Sequence, residues 1–261
     1  MKNLVRLIIG NKRIKNLENS QLKLSKEESH YLNKVMRLKI GEEIEITNGE
    51  GSLWIGVKNK KNFIEILNIN KPIIVQDKKQ VFLGIAVAIP KNGFDDILKM
   101  CTEIGIDFIQ PLYSEHQIKK ISNQSLKMNR WNTIINEAVE QCERLWKPKI
   151  LNILDICDWI ISLKSKDVIS ISLTRDENCI SLNRWLKKQN LSFHDSTVLW
   201  NVIGPEGGWS KREICFFKEN KIQFIKLSES ILRTSTATVT ASSILSQWRS
   251  FDIESKTLMQ K

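Results

Sequence analysis

NVIGPEGGWSKRE, residues 201–213, joins an apolar run to an amphipathic one through three glycines and a proline packed into five positions. TVLWNVI (197–203) before the turn is β-branched and apolar, the composition of a strand. KREICFFKEN (211–220) after it places Ile214, Phe216 and Phe217 at helical spacing, with Ser210 as N-cap. GPEGG is therefore a strand-to-helix turn, the position at which open parallel sheets bind ligands outside their strand ends. Glycine there permits positive φ and lets backbone approach a ligand closely, although a tight turn alone also requires it.

Outward from this turn the same alternation continues. VFLGIAVAI (81–89) reads as a buried strand. GFDDILKMCTEIG (93–105) puts Phe94, Ile97, Leu98, Cys101 and Ile104 on one helical stripe closed by Gly105. FIQPLYS (108–114) is strand-like, RWNTIINEAVEQCER (130–144) an amphipathic helix, and VISISL (168–173) and QFIKLS (223–228) are further strands. Strands alternating with helices predict an α/β fold on a mostly parallel sheet. Its successive strand ends are SLTR (172–175), IGPEGGWS (203–210) and KLSESILRTSTA (226–237). Neither the P-loop pattern nor GxGxxG spacing is present. A glycine turn without a phosphate-binding lysine suits a ligand read along its edges, such as an adenosyl group. The last helix, RTSTATVTASSILSQW (233–248), repeats Ala237, Ala241 and Leu245 at i+4, a stripe on which a loop or second subunit would pack closely.

The N-terminal part has the period of β structure. EEIEITN (42–48), SLWIGVKN (52–59) and NFIEILNI (62–69) are short strands, the first two separated by Asn48-Gly49-Glu50-Gly51. KEESHYLNKVMRLKIG (26–41) predicts a short helix ending at Gly41, and residues 70–80 a linker. The expected division is a small barrel over 1–72 and an α/β domain over 80–250. The net charge is +11, and residues 1–72 carry 14 Lys/Arg against 8 Asp/Glu while the much longer remainder carries 26 against 21. Compositional bias toward Lys, Asn and Ile explains abundant lysine but not this concentration, which points to a phosphate-rich partner. Lys34, Arg37 and Lys39 are assigned to phosphates, since such contacts position without reading bases. Five dispersed cysteines without a CxxC pair indicate reduced thiols in a cytoplasm. His30, His116 and His194 have no ligand-spaced partner, so no metal is expected. No membrane span or signal peptide is read.

Five stretches in order carry a resemblance: HYLNKVMRLKIGEEIEITNGEG, TEIGIDFIQPLYSE, EAVEQCERLWKP, IGPEGGWSKRE and LSESILRTSTA. Together they resemble the SPOUT-class 16S rRNA (uracil-1498-N3)-methyltransferases. The resemblance implies a C-terminal SPOUT parallel sheet with a trefoil knot, a topology too rare to propose otherwise. It also implies an N-terminal PUA-like β-barrel for RNA, S-adenosylmethionine as cofactor, a homodimer, and 16S rRNA or the 30S subunit as partner. Cofactor residues carried over are Leu173, the turn formed by Ile203, Gly204, Pro205, Glu206, Gly207 and Gly208, and the loop residues Leu227, Ser228, Ile231 and Leu232. Arg233 would stabilise a developing uracil anion, or else bind a carbonyl or phosphate. Glu206 would orient substrate or cap the next helix. Glu140, Gln141 and Arg144 would line an RNA cleft or form a solvated helix face. The chain departs from the family at Met100, His116, Ser228, Ser230 and Ser235, so no catalytic role is carried onto those positions. Two alternatives stay open: a non-catalytic RNA-binding ribosome assembly factor, and a SPOUT methyltransferase acting on another RNA base.

Overall fold

A computed structural model of the chain describes residues 4–117, 123–173, 179–189 and 197–259. It divides into two compact units, Met1–Lys78 with Asn136–Lys147 and Lys79–Ile135 with Pro148–Lys261.

The first unit is built on six strands: β1 (Val5–Ile8), β2 (Gln21–Lys23), β3 (Glu43–Thr47), β4 (Ser52–Lys60), β5 (Phe63–Ile66) and β6 (Ile74–Val75). Their order is β1-β3-β4-β5-β2, with β6 on β4. Alternation sets the inner face, because Ile44, Ile46, Ile64 and Ile66 are buried while Glu43 and Glu65 face solvent. Leu7 of β1 and Leu22 of β2, from opposite ends of the ladder, join these isoleucines and Trp54 in one cluster. The sheet therefore curls around a single core. β6 lies in the segment expected to be linker and pairs with Ser52 and Leu53 instead.

Helix α1 spans Asn11–Lys15, and α2 (Lys26–His30) starts on a capping box between Ser25 and Glu28. A π turn over Tyr31–Val35 follows. The helical segment stops there rather than at Gly41, because Arg37 adopts φ +53°, outside any right-handed helix. Lys58, buried beneath this segment, donates to Asn33 Oδ1 at 2.5 Å and to the Leu38 carbonyl. Burial lowers the pKa of its ammonium.

Residues 136–147 complete this unit. The Gly51 amide donates to the Leu145 carbonyl and the Lys147 amide to the Gly49 carbonyl, both at 2.9 Å. Gly51 has φ +94°, and a Cβ on it would lie 2.8 Å from the Trp146 ring. The Asn48–Gly51 turn is thus the seat of the 145–147 segment.

The second unit holds β7 (Val81–Ala88), β8 (Phe108–Tyr113), β9 (Lys149–Ile150), β10 (Leu154–Asp155), β11 (Val168–Ser172), β12 (Ile180–Ser181), β13 (Thr197–Ile203) and β14 (Gln223–Lys226). The order is β10-β8-β7-β13-β11-β14-β12, with β9 on β8, and every pairing is parallel. β7 is buried along its whole length, as a strand covered on both faces must be. Between the strands run α3 (Phe94–Ile104), α4 (Gln124–Gln141), α5 (Ile156–Ser162), α6 (Leu182–Lys187), α7 (Lys211–Glu219) and α8 (Thr234–Met259).

Two expectations for the helices need correction. α4 ends at Gln141, not Arg144, because Glu143 takes φ +59°. The Ala237, Ala241 and Leu245 stripe of α8 is buried within the chain itself. Ser246 Oγ donates to the Ile104 carbonyl at 2.8 Å, and Ser242 Oγ lies 3.7 Å from Cys101 Sγ. Farther along, buried Arg249 pairs with Asp107 and donates to the Gly105 carbonyl at 2.9 Å. The small residues let α8 approach α3, so they are not the surface left for a second subunit. Residues 174–178 and 190–196 lie outside the described residues. Thr174 and Arg175 of the SLTR strand end and His194 are among them.

Candidate functional site

The sheet order sets β13, β11 and β14 side by side and parallel, so their carboxyl ends share one edge. A cavity of about 460 Å³ opens there. Its size is that of a small-molecule site. Ser172 and Leu173 reach it from β11, residues 203–209 from β13, and Leu227 with 231–234 from β14 and the start of α8; Ala237 completes the wall. The apolar side chains form the walls, and most of the polar groups along the turn belong to backbone.

The turn is held from three directions. The Gly208 amide donates to the Pro205 carbonyl at 3.0 Å, closing it, and Gly208 sits at φ +72°. His116 Nδ1 lies 2.9 Å from the Gly208 carbonyl, which requires the ring to donate from that nitrogen. Thr234 Oγ1 donates to the Gly204 carbonyl at 3.1 Å, fixing the first turn of α8 to the strand end. Behind the turn, Ser210 Oγ accepts from the Glu213 amide and Glu213 Oε2 from the Ser210 amide. Glu213 is 1% exposed, and its other oxygen accepts from the Glu115 amide at 3.0 Å.

The capping carboxylate is therefore Glu213. Glu206 does not cap α7: it is exposed on the cavity rim and accepts from the Lys91 amide at 3.2 Å. Leu173, Ile203, Gly204, Pro205, Gly207, Gly208, Leu227, Ile231, Leu232 and Arg233 all line the cavity. Ser228 does not. Its hydroxyl accepts from the Ser230 amide at 3.1 Å and shapes the loop. Arg233 is exposed, and its guanidinium has no partner among the described residues. Ser172, Trp209, Thr234 and Ala237 are wall residues that sequence reasoning missed. The SKRE capping box was a readable signal for Glu213. Trp209 lies inside the IGPEGGWS strand end, where it was given no role, and nothing local announced His116.

In the first unit, Lys34, Arg37 and Lys39 are all exposed on the segment that Lys58 holds. The three residues from α4 and its continuation separate. Gln141 is exposed. Arg144 lies beyond the helix end. Glu140 is committed inward, because its Oε1 accepts from the Ile8 amide on β1 at 2.9 Å. Burial pushes its carboxyl up to about 7; the Ile8 hydrogen bond opposes this, while Glu137 and Glu28 add to it. The neighbouring Glu143 carbonyl accepts from Arg6, which also pairs with Glu45 at 2.6 Å. These residues finish β1, so Glu140 contributes to the fold of this unit.

A parallel α/β unit with a ligand cavity at three adjacent strand ends, in one chain with a basic β unit, defines a cofactor-site protein equipped for a polyanionic partner. The chain belongs to the RNA methyltransferase family: the pattern of the RNA methyltransferase domain matches residues 77–246, and that of the RNA methyltransferase PUA domain matches 24–64. It is 31% identical over 219 residues to the ribosomal RNA small subunit methyltransferase E of Synechocystis sp., covering 84% of this chain and 70% of that one. To the protein of the same name from Buchnera aphidicola subsp. Schizaphis graminum it is 32% identical over 243 residues, covering 85% and 89%. Its fold is that of ribosomal RNA small subunit methyltransferase E from Neisseria gonorrhoeae bound to S-adenosyl methionine, with TM-score 0.76, 23% identity and coverage of 94% and 98%. Among the described residues no helix is long and apolar enough to cross a membrane, and no cluster of metal-ligating side chains occurs.

Proposed function

We propose that this chain methylates N3 of uracil 1498 in 16S rRNA, using S-adenosylmethionine. The observation that carries the reading is the cavity at the ends of β11, β13 and β14, in a chain of the RNA methyltransferase family. Its apolar walls and backbone-lined turn suit a flat heterocycle read along its edges. Leu173, 203–208, Leu227, Ile231 and Leu232 would hold the cofactor, which supplies an electrophilic methyl on a sulfonium. Ser228 drops out of this set.

The chain's own contribution is to the nucleobase. N3 lies on the pairing edge, so the base must be unpaired or flipped out to reach the cavity. It also carries an imide proton, and negative charge develops on the ring as that proton leaves. Arg233, uncommitted on the cavity wall, is the cation that stabilises this charge. The imide proton passes to solvent before the methyl arrives, and Glu206, which keeps one oxygen on the Lys91 amide, would help orient the substrate with the other. His116 positions the turn through Gly208 and takes no part in the chemistry.

Lys34, Arg37 and Lys39 would hold RNA phosphates, with the 30S subunit or its free 16S rRNA as the polyanion. The homodimer contact belongs on the α8 face that the chain leaves open. Ile244 and Trp248 there are half-buried, and Phe251 is 72% exposed. The same reading places the protein in the cytoplasm with its RNA. Labelled methyl from S-adenosylmethionine should enter small-subunit RNA when the purified chain is added. Absence of transfer with cofactor demonstrably bound would leave an RNA-binding assembly factor instead.

A further inference from the structure

A second concave site lies in the first unit, before the residues matched by the PUA pattern. It is a hollow of about 410 Å³ between α1 and β2, and its lining includes Lys12, Asn16, Glu18, Gln21 and Lys23 over a floor that includes Leu22. We infer that this hollow holds the sugar-phosphate backbone of the RNA substrate, as a contact separate from Lys34, Arg37 and Lys39. The inference rests on the proposed RNA methyltransferase function and names where the polyanion is gripped.

Three observations carry it. The first is the disposition of charge. Arg13, also in the lining, is spent internally: it pairs with Glu28 at 2.5 Å and donates to the Lys23 carbonyl at 2.8 Å. That pairing and burial act on the guanidinium in opposite senses, and the hydrogen bond to Glu28 dominates, raising its pKa. Lys12 and Lys23 are exposed, and among the described residues neither ammonium has a partner. With Arg13 paired to Glu28 and Glu18 the lining's one carboxylate, Lys12 and Lys23 leave the hollow with an excess of positive charge.

The second is the set of neutral groups. Gln21 Oε1 accepts from Asn59 at 2.7 Å, which turns the amide so that its NH₂ stays available as a donor. Asn16 adds another amide. The one carboxylate, Glu18, would repel a phosphate but accepts from a hydroxyl. Donors for phosphate beside an acceptor for a ribose 2′-OH is the combination that RNA backbone presents.

The third is rigidity. Asn19 and Ser20 hold left-handed conformations at φ +50° and +58°, so the turn joining the lining residues is locally specified. The Arg13–Glu28 pair fixes α1 to α2, and the chain continues from α2 into the segment bearing Lys34, Arg37 and Lys39. The two basic sets are thereby held in one short span of structure, as a backbone-tracking surface requires.

The test is the double variant Lys12→Ala/Lys23→Ala in the full-length chain. Both side chains are exposed and unpaired, so the fold is kept. Binding to an unmodified 16S rRNA fragment containing uracil 1498 is titrated from low to moderate salt, with cofactor affinity measured on the same protein. Loss of two contacts should reduce the slope of log K against log salt by about 1.4 to 1.8, at 0.7 to 0.9 per phosphate. Affinity should fall at least tenfold at low salt with cofactor binding unchanged. An unchanged slope and affinity in the variant, with wild type binding and methylating the fragment, overturns the site and leaves the function standing. If wild type neither binds nor methylates the fragment, the titration is repeated with unmethylated 30S subunits, and failure there too defeats the functional reading itself.

Discussion

Gly208 offers a perturbation whose size follows from the geometry. Its φ of +72° is the left-handed region, where a non-glycine residue costs about 1–2 kcal/mol. An added Cβ would meet nothing within 4 Å, so Gly208→Ala acts through backbone conformation alone. The variant relieves the strain by leaving that region, which breaks the 3.0 Å bond from the Gly208 amide to the Pro205 carbonyl. The competent turn then becomes a minor population, and apparent Kd rises in inverse proportion to it. At about 1.4 kcal/mol per tenfold, cofactor affinity should fall roughly five- to thirtyfold. Gly41→Ala is the internal control, because Gly41 also has positive φ, +88°, with nothing within 4 Å of an added Cβ, but lies in the first unit and outside the cavity lining. Its Kd should stay within about twofold of wild type, by the same conversion. Calorimetry on folded protein decides the matter. A Gly208→Ala chain that binds S-adenosylmethionine like wild type, or a Gly41→Ala chain equally impaired, refutes the reasoning.

Three further outcomes are expected. Arg233→Gln should lower kcat by about 10²–10³, the scale for removing one preorganised charge-stabilising group, with cofactor Kd little changed; a parallel loss of cofactor binding would make Arg233 a cofactor ligand instead. Glu140 has a folded-state pKa raised to about 7, so its contribution to stability is full below the ordinary carboxylate range and is lost as pH rises through 7. Glu140→Gln, which can still accept from the Ile8 amide, should therefore raise the melting temperature at pH 8 and flatten its fall between pH 5 and 8; a variant less stable at pH 8 would mean that the ionised carboxylate stabilises β1. Trp248→Glu with Phe251→Glu should give a folded monomer by light scattering, whereas Ala241→Arg should destabilise the fold itself because that position is fully buried; wild type that is monomeric at micromolar concentration refutes the dimer.

The elements of the second unit were legible because their signals are local. β7 and β13 are continuous apolar runs, and α3 carries its stripe up to a left-handed Gly105. Partnerships were not legible. Nothing in VISIS says that β11 lies between β13 and β14, yet that neighbour order brings the three strand ends together. The grouping of 136–147 with the first unit depends on Gly51 accepting the Trp146 ring, a contact between positions far apart in the chain. Spacing along α8 showed a closely packed stripe, but not that Ser242 and Ser246 beside it meet α3 while Ala237 joins the cavity wall. At the site, Leu227 and Leu232 were reachable from motif position, whereas Trp209 and His116 enter through the folded turn. The helical run past Tyr31 looked continuous because a left-handed Arg37 leaves no compositional trace.

The proposal that this chain methylates uracil 1498 stands or falls on the identity and position of the modified nucleoside. Unmethylated 30S subunits or their 16S rRNA, incubated with the chain and S-adenosylmethionine, would be digested for nucleoside mass spectrometry and probed in parallel by primer extension. Methylation at N3 blocks the pairing edge and stops reverse transcription. The expected result is 3-methyluridine with a stop at position 1498, absent without cofactor and strongly reduced with Arg233→Gln. A methyl group on another base or ring atom, or no methylation by a chain that binds cofactor and RNA, would contradict it.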